Sequence, residues 1–256
     1  MTMLLRKLSV IGAVSACVWL VLPAFGQMVD PGYDLFDTQA GTSFQGVPLV
    51  GVPIGTYNFG GGIGVQGVGN ADTIVQRVGA ATPGSPTIPL KMDALQLETA
   101  TPVSLGGGPL GYYFFTLQSS DGSGRASIGS MTIGFNNPGS GTFTSFFDVF
   151  VDIHYGALNG PIVAQPAFPL NNSGAPWSNV APPGATLING VDNLLNKADT
   201  ANDFWPTTVI ESEPGATHVV TPDVVTPEPS TLLAGALMLL PFGASTARIL
   251  RKRMAV

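Results

Sequence analysis

The sequence predicts an all-β protein built as a single antiparallel β-sandwich or jelly-roll-like domain over residues 27–220. Three observations predict it. Between Asp30 and Val220 no stretch sustains the apolar spacing of a helix. Short runs rich in aromatic and β-branched residues recur there instead. Turn signals separate them, at Asp121-Gly122, Asn137-Pro138-Gly139, Asn159-Gly160 and Asn189-Gly190. Many short strands with Gly-rich turns indicate two packed antiparallel sheets.

In chain order, the runs place strands at 73–78, 94–99, 112–118, 127–135, 142–155 and 161–165, with shorter ones at 186–188 and 217–220. Residues 41–70 are dense in glycine and read as irregular loops or strained edge strands. Residues 191–198 read as one short helix. Residues 221–230 hold Pro222, Pro227 and Pro229 and read as an extended linker. No internal repeat is visible.

The 256 residues include 33 Gly and 22 Pro, with a hydrophobic fraction of 45% and a charged fraction of 10%. That is apolar enough to bury a core and excludes wholesale disorder. Charge is unevenly distributed. Between residues 27 and 229 there are four basic side chains (Arg77, Lys91, Arg125, Lys197) against sixteen acidic ones, a net of −12, whereas the whole chain carries −6. Such a surface repels phosphate backbones, so nucleic acid is excluded as a partner.

The N-terminal end reads as a secretory signal over residues 1–26. Arg6 and Lys7 form a positive region, an apolar stretch follows over 8–22, and Ala24-Phe25-Gly26 places small residues for a cut between Gly26 and Gln27. Export machinery of the Sec type and a signal peptidase are the implied partners. The single cysteine, Cys17, lies inside this segment, where Val14-Ser15-Ala16-Cys17 also looks like a lipobox. Against lipidation, Val18-Trp19-Leu20-Val21-Leu22 continues the apolar run beyond the cysteine. Either way the mature domain has no disulfide and stands on packing alone.

At the other end, Thr226-Pro227-Glu228-Pro229-Ser230 precedes an apolar segment and then Arg248-Ile249-Leu250-Arg251-Lys252-Arg253. Residues 231–250 are long enough, at about 30 Å as a helix, to cross a bilayer. The basic residues favour a cytoplasmic tail at 251–256 and a domain outside. Pro241 introduces a kink that a membrane tolerates. This order of motif, span and basic cluster resembles the PEP-CTERM sorting signal of Gram-negative bacteria. The resemblance covers residues 226–253 and implies recognition and processing by an exosortase. It implies Pro227, Glu228 and Pro229 as the sorting motif, and Arg251, Lys252 and Arg253 as the cytoplasmic stop. It further implies transient anchoring in the inner membrane, then a place at the cell surface or outside the cell.

Within the central domain, Gly62-Ile63-Gly64-Val65-Gln66-Gly67 matches a dinucleotide fingerprint, but Val68-Gly69-Asn70 opens no helix behind it, and the match reads as glycine clustering. The most regular strand is 147–155. Phe147, Val149, Val151, Ile153 and Tyr155 share one face; Asp148, Phe150, Asp152 and His154 share the other. A core face and a solvent face explain this pattern. Asp152 and His154, two residues apart, are also candidate metal ligands. Asp148 and Asp152 lie about 13 Å apart along a strand, too far for a glycosidase pair. Residues 192–203 carry six Asp or Asn side chains, oxygen enough for calcium, but lack the EF-hand loop pattern. Trp177 and Trp205 sit beside prolines and are candidates for stacking on sugar rings.

No G-x-S-x-G, H-E-x-x-H or P-loop is present, and His154 and His218 are the only histidines. The chain therefore reads as a non-enzyme: an exported surface or matrix protein associated with extracellular polysaccharide. A carbohydrate- or calcium-binding module is the alternative, and a secreted hydrolase the third reading. No cofactor other than calcium is indicated.

Overall fold

The computed structural model describes residues 27–121, 124–188 and 202–224. The signal segment up to Gly26, the 191–198 helix, Pro227, Glu228, Pro229, the 231–250 span and Arg251, Lys252 and Arg253 lie outside the described residues. Among the described residues no helix is long and apolar enough to cross a membrane.

Fifteen strands form: β1 (Gly32–Thr38), β2 (Ser43–Phe44), β3 (Val47–Gly51), β4 (Thr56–Asn58), β5 (Val65–Gly67), β6 (Thr73–Arg77), β7 (Thr87–Thr99), β8 (Tyr113–Leu117), β9 (Ser127–Asn137), β10 (Ser140–Tyr155), β11 (Ile162–Ala164), β12 (Ala167–Ser178), β13 (Trp205–Pro206), β14 (Val209–Glu213) and β15 (Ala216–Pro222). Their helical content is two 3₁₀ turns, Leu105–Gly107 and Gln118–Asp121. All strand pairs are antiparallel. The ladder runs β1, β6, β7, β9, β10, β12, β14, β15 and returns to β1 through Phe36 opposite Pro222 and Thr38 opposite Val220.

That is a closed eight-stranded barrel, and it corrects the expected sandwich. Alternation along a strand shows that one face is buried. It does not show whether that face meets a second sheet or the far side of its own. The two longest strands make the barrel deep. β8 and β9 lie end to end in the slot between β7 and β10: β8 pairs with Gln96–Glu98 and 151–155, β9 with 87–92 and 140–148.

The interior is apolar. The inward row of β10 (Phe143, Phe147, Val149, Val151, Ile153) meets Met92, Leu97, Phe115, Leu117, Met131 and Leu170 in one buried cluster. The outward row of the same strand carries Thr142, Thr144, Phe146, Asp148, Phe150 and Asp152. Eight strands leave an interior just wide enough for side chains to fill. Two cavities of about 30 Å³ each lie inside, sharing Met92 and His218 in their walls.

A second, smaller cluster lies outside the barrel wall. Leu35 and Ile74 are covered there by Phe59, Val68 and Ala71 from the excursion at 52–72, together with Ile188. β4 and β5 form a hairpin within that excursion. Gly62, Gly64 and Gly67 belong to this hairpin, so the glycine pattern is turn chemistry and opens no helix. Residues 186–188, expected as a strand, contribute this cover instead.

The domain also runs past its expected end. Thr221 and Pro222 pair with Asp37 and Phe36, the Asp223 amide donates to the Leu35 carbonyl at 2.8 Å, and Val224 bridges Ala185. The expected linker at 221–230 is thus part of the barrel as far as Val224.

Close approach of β9 and β10 depends on Gly129. A Cβ there would stand 1.9 Å from the Phe146 carbonyl oxygen and 3.0 Å from Phe147 Cα, both backbone atoms. Gly129→Ala is therefore expected to cost at least the ~1–3 kcal/mol typical of overpacking. Urea unfolding of the variant checks this; an unchanged midpoint would mean that the strands part freely here.

Candidate functional site

An outer groove of about 610 Å³ lies where β7, β8 and β10 meet under the 52–72 excursion. Lys91, Asp93 and Gln96 come from β7, Thr116 from β8, Asp152 and His154 from β10, and Tyr57 and Asn159 from flanking segments. A bulge builds its floor. Ile74 pairs with Ala94 and Val75 with Met92, leaving Asp93 as the extra residue on β7. Asp93 and Ala94 are thereby both placed on the outer wall, the re-aiming that bulges perform.

Several polar groups in the groove are held. Lys91 Nζ lies 2.5 Å from Asp93 Oδ1, with the Asp93 side chain 4% exposed. The Tyr57 hydroxyl is pushed up to about 12 by burial, then by the negative charge of Asp93 and by Tyr33. It is a neutral donor at any physiological pH. His154 Nδ1 is 2.8 Å from the Gly160 carbonyl and Nε2 is 3.0 Å from Thr116 Oγ1. A carbonyl only accepts, so Nδ1 carries the proton, and in the neutral ring Nε2 accepts from the Thr116 hydroxyl. Asp152 Oδ1 accepts from Gln165 Nε2 at 2.7 Å.

The structure thus places Asp152 and His154 in one groove, as their spacing on a strand suggests. Both histidine nitrogens are engaged, and among the described residues no three His, Cys, Asp or Glu side chains converge as a metal set. The histidine, backed by a carbonyl and facing a hydroxyl, has the connectivity of an activated nucleophile. Thr116, however, sits mid-strand with ladders on both sides, to β7 and β10. The pairing commits backbone amides that an oxyanion hole would need. The arrangement holds the groove's shape.

Trp177 and Trp205 require correction. They are 4% and 5% exposed. Trp177 stacks on Phe204 with centroids 5.5 Å apart and donates from Nε1 to the Gly134 carbonyl at 3.2 Å. Neither indole offers a face to a sugar; both belong to the end of the core, because β13 pairs with β12 and seats Trp205 beside it.

A second polar cluster, not signalled by any local motif, lies where β1 meets β15. Asp72, 3% exposed, accepts from the Thr38 amide and Thr38 Oγ1, both at 2.7 Å, and from Thr73 Oγ1 at 2.8 Å. Thr38 Oγ1 is also 3.2 Å from His218 Nε2. Beside it, Asp37 pairs with Thr221 across the seam, two residues before Asp223. Burial pushes the Asp37 carboxyl up to about 7, helped by the charges of Asp223 and Asp72 and opposed by a backbone hydrogen bond from Val224. Asp37 and Asp223 are 186 positions apart, so only barrel closure brings them together. Compared with family models, curated proteins and solved structures, the chain matches none of them.

Proposed function

We propose that this chain is an exported, non-catalytic surface or extracellular-matrix protein, delivered through the Pro227-Glu228-Pro229 signal and associated with extracellular polysaccharide. The observation that carries this reading is the placement of the motif relative to the domain. The barrel closes with β15, and its last described bridge is at Val224, three positions before Pro227. Cutting by an exosortase beside the motif would therefore remove no strand. An apolar span and a basic stop following directly behind the motif are what transient anchoring requires.

Intact mass of the mature protein from its native host tests this. The wild type is expected to lack the residues beyond about Pro229. A variant with Ala at Pro227, Glu228 and Pro229 is expected to keep them and remain in the inner membrane. If both proteins retain Val256, the C-terminal segment is a passive anchor and the sorting reading is wrong.

A carbohydrate-binding role is favoured by the outer groove, whose size suits one or two sugar rings. Tyr57 supplies an aromatic ring with a neutral hydroxyl, and Gln96 and Asn159 supply hydrogen-bonding groups that sugars need. A glycan-array screen of residues 27–224 is expected to show binding that Tyr57→Ala and Gln96→Ala abolish. Binding untouched by both substitutions would place the ligand elsewhere.

A further inference from the structure

We propose that the seam between β1 and β15 holds a divalent cation of the calcium class, ligated by Asp37, Asp223 and Thr186. The juxtaposition stands on unpartnered oxygens. Among the described residues four buried side-chain polar atoms have no hydrogen-bond partner, and three of them are Asp37 Oδ1, Asp223 Oδ2 and Thr186 Oγ1. Native structures satisfy nearly all such groups, so three orphans at one place signal a missing partner.

Two of these oxygens lie close together. Asp223 is 1% exposed, and its other oxygen, Oδ1, is engaged by the Asn70 amide at 3.2 Å, which leaves Oδ2 aimed away. A Cβ on Gly69 would stand 2.2 Å from Asp223 Oδ2 and 2.7 Å from Thr186 Oγ1. Asp223 Oδ2 and Thr186 Oγ1 therefore both pack against Gly69, whose φ is +63°, and lie within about 5 Å of each other, the sum of those two distances. Asp37 on β1 pairs with Thr221, two residues before Asp223.

Three elements meet at this point: β1, the segment after β15, and the segment that carries Thr186. The charged and titratable groups facing Asp37 are Asp223 and Asp72, with His218 behind Asp72 across Thr38. Both facing carboxyls, like Asp37 itself, are negative when ionised, and no lysine or arginine is among them.

The ligand set is all oxygen, which selects hard cations. Two carboxylates and a hydroxyl, completed by backbone carbonyl oxygen or water, make a weak site of the 10⁻⁴–10⁻³ M class found in extracellular modules. Magnesium, which demands regular octahedral ligands and sheds water reluctantly, suits it less. Bound calcium would fasten the last strand to the first, the one pairing that turns the sheet into a barrel. This inference is independent of the sorting signal.

The test is thermal unfolding of residues 27–224 at about pH 8, where the carboxyls are ionised, in chelator and then in millimolar calcium or magnesium. Calcium at ~10-fold above its dissociation constant is expected to raise Tm by about 3–6 °C, with magnesium giving less. Asp37→Asn should abolish the calcium response while raising Tm in chelator, because one of the opposed charges is gone. Thr186→Val should weaken the response and leave the chelator value nearly unchanged. Equilibrium dialysis with radioactive calcium should give one ion per chain, lost in Asp37→Asn. A wild-type Tm indifferent to calcium, with Asp37→Asn still stabilised in chelator, would overturn the proposal and leave a proton or a water between the carboxyls. A calcium response preserved in Asp37→Asn would place the ion elsewhere and overturn it equally.

Discussion

Arg77→Met is expected to lower the stability of the barrel by about 3–5 kcal/mol, the usual cost of breaking a buried ion pair from one side. Arg77 is 1% exposed inside the barrel. Its guanidinium pairs with Asp34, its Nε donates to the Asp30 carbonyl at 3.2 Å, and its Cζ lies 5.1 Å from the centre of the Phe204 ring. Methionine fills much of the same volume but leaves the Asp34 carboxylate among Phe36, Leu90 and Phe147 with no counterion. Burial already pushes the Asp34 carboxyl up, and Arg77 opposes that. Without Arg77 the acid takes a proton more readily, so the loss should be smaller at about pH 5 than at pH 8. Replacing both partners, as Arg77→Met with Asp34→Leu, should recover most of the loss, since apolar substitutes for a buried pair are often neutral or better. Urea unfolding of the three variants decides it. A single variant losing under about 1 kcal/mol, with no recovery in the double, would show that the pair is solvated or dispensable.

In the presence of chelator, the barrel should lose stability as pH rises from about 4 to about 7, opposite to the trend of proteins stabilised by salt-bridged acids. Asp37 has an ordinary value of 3.8 and is pushed up to about 7 in the fold. Across that window the unfolded chain has released this proton and the folded chain still holds it. Raising the pH therefore favours unfolding: the contribution is complete below about 4 and gone above about 7. Taken at face value the shift corresponds to about 4 kcal/mol, but Asp37 is only half-buried, and solvent screening reduces the expected effect to about 1–2 kcal/mol. Asp34 and Asp72, both raised by burial, act in the same direction. Asp37→Asn should flatten the curve, matching the wild type at about pH 4 and exceeding it at about pH 8. Denaturant midpoints measured across this range would show it; a wild-type curve rising toward neutrality would mean that Asp37 is ionised in the folded barrel.

How much of this was legible beforehand depended on the range over which each feature is encoded. The alternation along β10 identified its inward row correctly, because a strand's period of two is local. Asp152 and His154 could be placed on one face for the same reason, and they do line one groove. The partners that complete that groove, Tyr57, Lys91 and Asp93, could not, since a bulge on β7 and an excursion from a different part of the chain bring them in. β1, β12 and β14 passed unnoticed. Asp34, Asn172 and Glu211 occupy inward positions in them and break the apolar pattern by which strands are recognised. The two tryptophans beside prolines looked like loop residues, and pairing between β12 and β13 buried them.

The sequence by itself determined that the described protein is β-structured, that it has no cysteine between residues 27 and 224 to crosslink it, and which rows of its clearest strand face inward. These follow from composition and from patterns a few residues long. Whether those strands make a sandwich or a barrel was decided only by tertiary structure, through the pairing of β1 with β15. So were the buried Arg77–Asp34 pair and the meeting of Asp37 with Asp223. The physical reason is common to all three: hydrophobic burial rewards any face that leaves water and carries no instruction about its partner. Partners far apart in the chain are chosen by register, twist and closure of the whole sheet.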